Sequence, residues 1–334
     1  MKTILVTGGT GYIGTHTVVE LLKDDKYNVI ILDNLSNSNL MILNRLKKIV
    51  NKPIRFYNLD CRDNLDDIFT ENKIDGVIHF AAFKSVGESV SEPLKYYDNN
   101  INSLLNLLRT CKRFSVSNFV FSSSCSLYGN VSKLPVSEET PLSDPESPYA
   151  YTKLVGERIL KDFCKVNNIN GVSLRYFNPV GAHESGLIGE SPINKPNNIL
   201  PVICNSGESG EEITLFGGDY DTPDGTCIRD YVHVSDIANA HVLSLEWMMK
   251  LDNFGSYDVF NLGSEKGYSV LELINKFEEV NGLKVNYKIG KRREGDVVKI
   301  YSNSEKAKNI LNWKIEKDIT DIVKSAWLWT KNKI

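Results

Sequence analysis

The segment GGTGYIG, residues 8–14, lies between an apolar run, TILVT, and an amphipathic stretch, YIGTHTVVELLKDD. Strand, glycine turn and helix in that order leave few folds open. Gly8, Gly11 and Gly14 allow a tight turn, close packing of helix on strand, and an approach of phosphate oxygens to backbone N–H groups. Tyr12 and Ile13 sit inside the same loop. A purely structural turn has the same spacing, so the next strand matters. VIILD ends in Asp33, 19 residues past Gly14, with Asn34 following. An acidic residue at that distance binds the ribose hydroxyls of NAD and repels the 2′-phosphate of NADP. The expected cofactor is therefore NAD.

Short β-branched and aromatic runs (TILVTG, NVIILD, IRFYNLD, GVIHFAA, FVFSSS, GVSLRYF) alternate with helical periodicity, as in NINSLLNLLRTCKRF, where Ile101, Leu104, Leu105 and Leu108 recur. The expected fold class is α/β, a doubly wound parallel (Rossmann) sheet with a second, smaller α/β region that binds substrate. Residues 1–177 are expected to form the cofactor domain, with 230–252 packing back onto it, and 178–334 the substrate region. Turn-rich segments such as NPVGAHESG and FGGDYDTPDGT mark the change of rhythm.

SPYAYTKLVGERILKDFCK begins with helix-start chemistry, Ser147 as N-cap and Pro148 in the first turn. Tyr149 and Lys153 are four apart and share a helix face, while Tyr151 points elsewhere. A phenol with a pKa of ~10 needs about 4 kcal/mol to titrate near ~7. One cation ~5 Å away at an effective dielectric of ~20 supplies roughly 3 kcal/mol. Lys153, a positive nicotinamide and the helix N-terminus together suffice. Four serines, Ser122, Ser123, Ser124 and Ser126, follow the strand FVF, where side chains face the ligand crevice of a parallel sheet. One of these hydroxyls is expected to bond the substrate, and others to cap the strand end.

GGTGYIG, SSSCSLYG, the Tyr149–Lys153 pair and RYFNPVGAH resemble the extended short-chain dehydrogenase/reductase family. DNLSNS, VIHFAAFKSVGESV, YYDNN, PNNILP, GTCIRDYVHV and KRREGD fit its UDP-glucose 4-epimerase branch over nearly the whole chain. The resemblance implies a catalytic triad of Ser124, Tyr149 and Lys153. It puts Asp60 and Cys61 by the adenine, Phe80, Ala81, Lys84 and Asn99 along NAD, Tyr176 near the nicotinamide, and Ser122 in the cofactor site. Asn178, Asn198, Arg229 and Arg292 would hold the uridine diphosphate, whose oxygens suit arginine forks, and Asp296 the uridine ribose. Ile300, four places past Asp296, would wall the sugar pocket, with room for part of an N-acetyl group. The implied reaction is inversion at C4 of a UDP-hexose: Tyr149 takes the O4 proton while C4 gives a hydride to NAD, and the 4-keto sugar turns and receives it back on its other face. UDP-glucose and UDP-galactose are the expected substrates, with UDP-N-acetylglucosamine a further one and other nucleotide-sugar 4-epimerases the nearest alternative.

Dehydratases and decarboxylases of this family carry a carboxylic acid after the active-site hydroxyl residue; Cys125 and Ser126 stand there instead, leaving β-elimination no general acid. A non-enzymatic NAD-binding scaffold need not keep Ser124, Tyr149 and Lys153 together. The net charge of -3 and pI near 6.0 offer no basic face for nucleic acid or an anionic membrane. No signal-peptide pattern or membrane-spanning run is apparent, so a soluble cytoplasmic protein is expected. Six scattered cysteines suggest neither a zinc site nor a disulfide frame, and His16, His79, His183, His233 and His241 lack metal spacing. No metal is expected. The family resemblance suggests a homodimer through helices near 100–113 and 149–166.

Overall fold

The computed structural model describes residues 1–142, 144–192, 198–293 and 296–333. Six strands appear where the apolar runs lie: β1 (Lys2–Thr7), β2 (Tyr27–Leu32), β3 (Arg55–Tyr57), β4 (Gly76–His79), β5 (Asn118–Ser124) and β6 (Asn170–Tyr176). A seventh, Tyr257–Leu262, joins them from far along the chain and pairs with β6. The order is Tyr257–Leu262, β6, β5, β4, β1, β2, β3, and every pairing is parallel.

Such a sheet must be covered on both faces, because its crossovers are helices. Alternation along each strand divides the apolar side chains between two cores. Ile4, Val6, Ile78, Val120 and Val172 face the helices Tyr12–Leu22 and Val234–Met248. Leu5, Val77, Phe119 and Phe121 face the helices Pro93–Arg113 and Pro148–Val166. In Pro93–Arg113 it is Leu104, Leu107 and Leu108 that are buried, while Ile101 and Leu105 stay half-buried. The α/β doubly wound class expected from the sequence is borne out.

Strands Asn178–Val180, Ile228–His233, Gly267–Ser269 and Lys299–Ile300 form a small mixed sheet, and Ile213–Phe216 pairs with Tyr287–Gly290. Helices Ile199–Ser209, Val270–Asn281 and Ile319–Asn332 share a third core around Ile203, Phe277 and Val323. β1 lies between β2 and β4, so chains leaving its end and that of β4 turn to opposite sides. Ligand crevices open at such a switch point.

Candidate active site

One cleft runs along the C-terminal ends of β1, β2, β4 and β5. It is lined by Gly8, Gly11, Tyr12, Ile13, Gly14, Asp33, Asn34, Asp60, Cys61, Phe80, Ala81, Lys84, Asn99, Ser122, Tyr149, Lys153 and Tyr176, every residue that the sequence assigned to the cofactor. Gly8 has φ +67°, and a Cβ there would stand 2.7 Å from the Ala81 nitrogen. A Cβ on Gly14 would come within 2.3 Å of the Gly8 carbonyl oxygen. Both positions admit only glycine, which presses the start of helix Tyr12–Leu22 against the turn. No side chain caps that helix at Gly11, so its first N–H groups face the cleft as an anion site.

The polar groups along the cleft are held by hydrogen bonds. Asp33 accepts hydrogen bonds from the backbone N–H of Thr10 at 3.1 Å and of Leu35 at 2.8 Å, which fixes its carboxylate at the rim. Asn34 donates to Asp60 at 2.8 Å, and Arg62 beside Asp60 holds that carboxyl down at about 2. Burial pushes the Cys61 thiol up to about 12, so it lies against the cleft as a neutral group. Tyr12 donates to the Gly181 carbonyl at 2.6 Å, and Asn99 donates to Asn100 at 2.9 Å. The hydroxyl of Tyr176 bonds His241 Nε2 at 2.6 Å, and Phe80 lies 4.6 Å from the same imidazole.

Glycine turn, open helix start and a rim carboxylate fit a dinucleotide carrying a pyrophosphate and an unphosphorylated ribose. Other lining residues are Thr10, inside GGTGYIG, Ser38, at the end of DNLSNS, and Glu190, which lies in none of the motifs. Thr10 and Ser38 bond one another at 2.6 Å around Asp33, and neither has an assigned role of its own within its motif.

At the inner end of the cleft stand the reactive groups. Ser147 caps the helix Pro148–Val166 by accepting from Ala150 N–H at 3.2 Å, which brings Tyr149 and Lys153 to one face. Lys153 Nζ donates to the Ser122 carbonyl at 2.7 Å and to its hydroxyl at 3.2 Å, and lies 5.8 Å from the Tyr149 ring centre. The serines divide their work. Ser122 holds Lys153, Ser123 donates to Glu157 at 2.5 Å, and Ser124 bonds Tyr149 and accepts from Ser126 N–H at 3.2 Å.

Burial pushes Tyr149 up to about 12, with the Ser124 hydrogen bond pulling the other way. Burial also brings Lys153 down to about 7, opposed by the Glu157 carboxylate. In the protein alone the phenol is therefore a weaker acid than free tyrosine, against the lowering expected from the sequence. Its lysine is held largely by Ser122, and the nicotinamide charge invoked in that expectation is a property of the bound cofactor.

Of the residues assigned to substrate, Tyr149 lines this cleft, while Ser124, Asn178, Asn198, Arg229, Arg292, Asp296 and Ile300 are not among its lining residues. Asn178 is half-buried in its short strand and pairs with Tyr231. Asn198 donates to Glu190 at 2.6 Å. Arg229 donates to the Val297 carbonyl at 2.5 Å and stands 3.6 Å from Asp296. Arg292 lies over the Tyr220 ring at 4.4 Å and donates to Asp219 at 2.8 Å. Ile300 pairs with Arg229 and is buried with Tyr128, Val136 and Phe177, with Cys125 packed alongside. Glu294 and Gly295 of KRREGD lie outside the described residues.

Among the described residues no group of His, Cys, Asp and Glu is placed to hold a metal ion, and no helix is long and apolar enough to cross a membrane. His16, His79, His233 and His241 are buried, and all six cysteines are unpaired.

Residues 4–263 match the model of the NAD dependent epimerase/dehydratase family. A UDP-glucose 4-epimerase of Neisseria meningitidis serogroup A is 49% identical over 99% of this chain and 98% of its own length. Another from Bacillus subtilis is 44% identical over 99% and 97%. The crystal structure of UDP-glucose 4-epimerase from Bifidobacterium longum in complex with NAD+ and UDP superposes with a TM-score of 0.94 at 44% identity, covering 99% of this chain and 98% of that one. On matched length, fold and the glycine cleft together, the chain belongs to the NAD dependent epimerase/dehydratase family.

Proposed function

We propose that the protein is a UDP-glucose 4-epimerase, interconverting UDP-glucose and UDP-galactose with NAD held in the glycine cleft. The observation that carries this is the meeting of a phenol, a serine hydroxyl and a lysine ammonium at the inner end of that cleft. Tyr149 takes the proton of the sugar O4 and gives it back, Ser124 orients that oxygen, and Lys153 with Ser122 fixes the charge beside the phenol. NAD, when bound, supplies the acceptor and donor of the C4 hydride. Gly8, Gly11, Tyr12, Ile13 and Gly14 hold its pyrophosphate, Asp33 and Asn34 its ribose, and Asp60 and Cys61 its adenine. Phe80, Ala81, Lys84, Asn99 and Tyr176 line its path to the nicotinamide.

Asn178, Asn198, Arg229 and Arg292 take the diphosphate, and Asp296 the uridine ribose, with Ile300 beside the sugar. Residues 1–177 and the returning 230–252 segment serve the cofactor, and 178–334 the UDP-sugar. An elimination reaction is disfavoured, because burial pushes the Cys125 thiol up to about 12 where a dehydratase needs an acid. The protein works in the cytoplasm as a homodimer through the helices near 100–113 and 149–166. Exposed Val90, Leu94 and Tyr151 on that side support such an apolar contact.

Because the hydride returns in each cycle, the cofactor need not leave. Purified protein is expected to release NAD(H) on denaturation and to convert UDP-galactose to UDP-glucose without added nucleotide. Release of NADP instead, or no conversion, would falsify this function.

A further inference from the structure

Glu190 lies on the wall of the cofactor cleft, and no motif singled it out. Its Oε1 accepts from Lys84 Nζ at 2.8 Å and from Asn198 Nδ2 at 2.6 Å. The carboxylate is 9% exposed, while the Lys84 side chain is 51% exposed, so the acid is fixed and the lysine comes to it. Its backbone is also pinned: Trp329 Nε1 donates to the Glu190 carbonyl at 2.9 Å, and the indole packs against Gly189, where a Cβ would be 2.5 Å away. Asn198 is the N-cap residue of helix Ile199–Ser209 but makes no capping bond. Asparagine in that place usually satisfies an N–H of the first turn; here the amide is turned to Glu190.

A fixed carboxylate beside a cleft for anionic diphosphates opposes their binding by its own charge. Its value must lie in what it holds. One oxygen joins a cation of the β4 side to an amide at the start of a substrate-region helix, across 114 residues of chain. We propose that Glu190 is a positioning residue that couples the two halves of the site. It sets Lys84 towards the cofactor and Asn198 towards the nucleotide of the substrate, so that each ligand slows the other's departure. This rests on the assignment of Lys84 and Asn198 made above. Coupling of this kind is reciprocal, and for paired sites it spans about 5- to 150-fold.

The test is the rate at which purified holoprotein releases NAD, with and without saturating UDP, in wild type and in Glu190→Gln. UDP is expected to slow release about tenfold in wild type. Glu190→Gln keeps size and hydrogen-bonding atoms but loses the charge that fixes Lys84, and should bring the ratio close to one while both ligands still bind. Lys84→Met cuts the same bridge from an exposed side chain, should do likewise, and carries the test if the first variant folds poorly. A wild-type ratio near one, or a wild-type ratio retained in Glu190→Gln with UDP bound, overturns the coupling and leaves the epimerase assignment standing. Loss of the ratio only alongside a fall in Tm in both variants marks Glu190 as structural support and also overturns it. Wild-type protein that binds neither UDP nor NAD overturns both proposals.

Discussion

In the sheet half, the cleft is delivered by backbone. The glycine turn follows β1, Asp33 follows β2, Phe80 and Ala81 follow β4, and Ser122 and Ser124 lie at the end of β5. In the second half the strands run from two to six residues, and the polar groups lie on short edges and loops. They are engaged with protein partners: Arg229 with Asp296, Arg292 with Asp219, Asn198 with Glu190. A site of the first kind is preorganised by the parallel ladder. If the second set takes the nucleotide as proposed, the ligand must join or exchange those polar pairs.

The largest test of that contrast is Tyr149→Phe, which deletes one oxygen from the preorganised half. Ring packing and helix start remain, so NAD should stay bound and the fold should be intact. Turnover is expected to fall by about 10²–10⁴, the usual effect of removing a general acid or base. A variant that keeps more than about a tenth of the wild-type rate would mean that Tyr149 is not the group moving the O4 proton. Lys153→Ala should lower turnover about tenfold less than this, because Ser124 still bonds the phenol at the start of its helix.

The same contrast explains what could be read from residues alone. Six of the seven strands in the sheet announce themselves, because strands buried on two faces are continuous apolar runs. The seventh, Tyr257–Leu262, carries Asp258 and Asn261 and follows a turn-rich stretch; its pairing with β6, more than 80 residues earlier, gives it its place. Gly8, Asp33 and Tyr149 are legible because turn geometry, charge and helix spacing dictate the residue type. Glu190 was not, since nothing local distinguishes its GES tripeptide from any polar turn. What makes it informative is contact with residues 106 positions before it and 8 after it.

Acid offers a second, smaller test, directed at the same half. Burial holds His16, His79 and His241 at about 3 and His233 at about 4, all below the ordinary value of 6.5. His79 bonds Thr7 at 2.7 Å beneath the cleft, and His241 bonds Tyr176. The unfolded chain takes up these protons near pH 6.5 while the folded chain refuses them until about pH 3–4. Their contribution to stability is thus complete above pH 6.5 and is lost as pH falls towards 4, by about 1.4 kcal/mol per pH unit for each proton. Asp236, raised by burial to about 6, binds its proton earlier in the folded state and works against this loss, as do Glu20, Glu138 and Asp230, which burial also raises. Denaturant midpoints should therefore drop steadily between pH 6.5 and 4.5. A flat profile there would mean that these imidazoles are not buried in solution.

The smallest expected effect falls in the second half, at Ile300. Its side chain packs with Tyr128, Val136 and Phe177, and its strand pairs it with Arg229, a residue proposed above for the diphosphate. Cys125, the neighbour of Ser124, packs against the same cluster. Ile300→Tyr adds bulk that a tight core resists at a cost of ~1–3 kcal/mol, and this should appear as a lower Tm. The functional consequence is separable. If the side chain walls the sugar pocket, kcat/KM for UDP-N-acetylglucosamine should fall about tenfold relative to UDP-galactose, equivalent to ~1.4 kcal/mol, because added volume penalises the larger sugar. A residue that is only core would lower both activities together as the protein loses stability, leaving their ratio unchanged. Measuring that ratio beside Tm decides whether a side chain of the second half selects the substrate or merely fills space behind it.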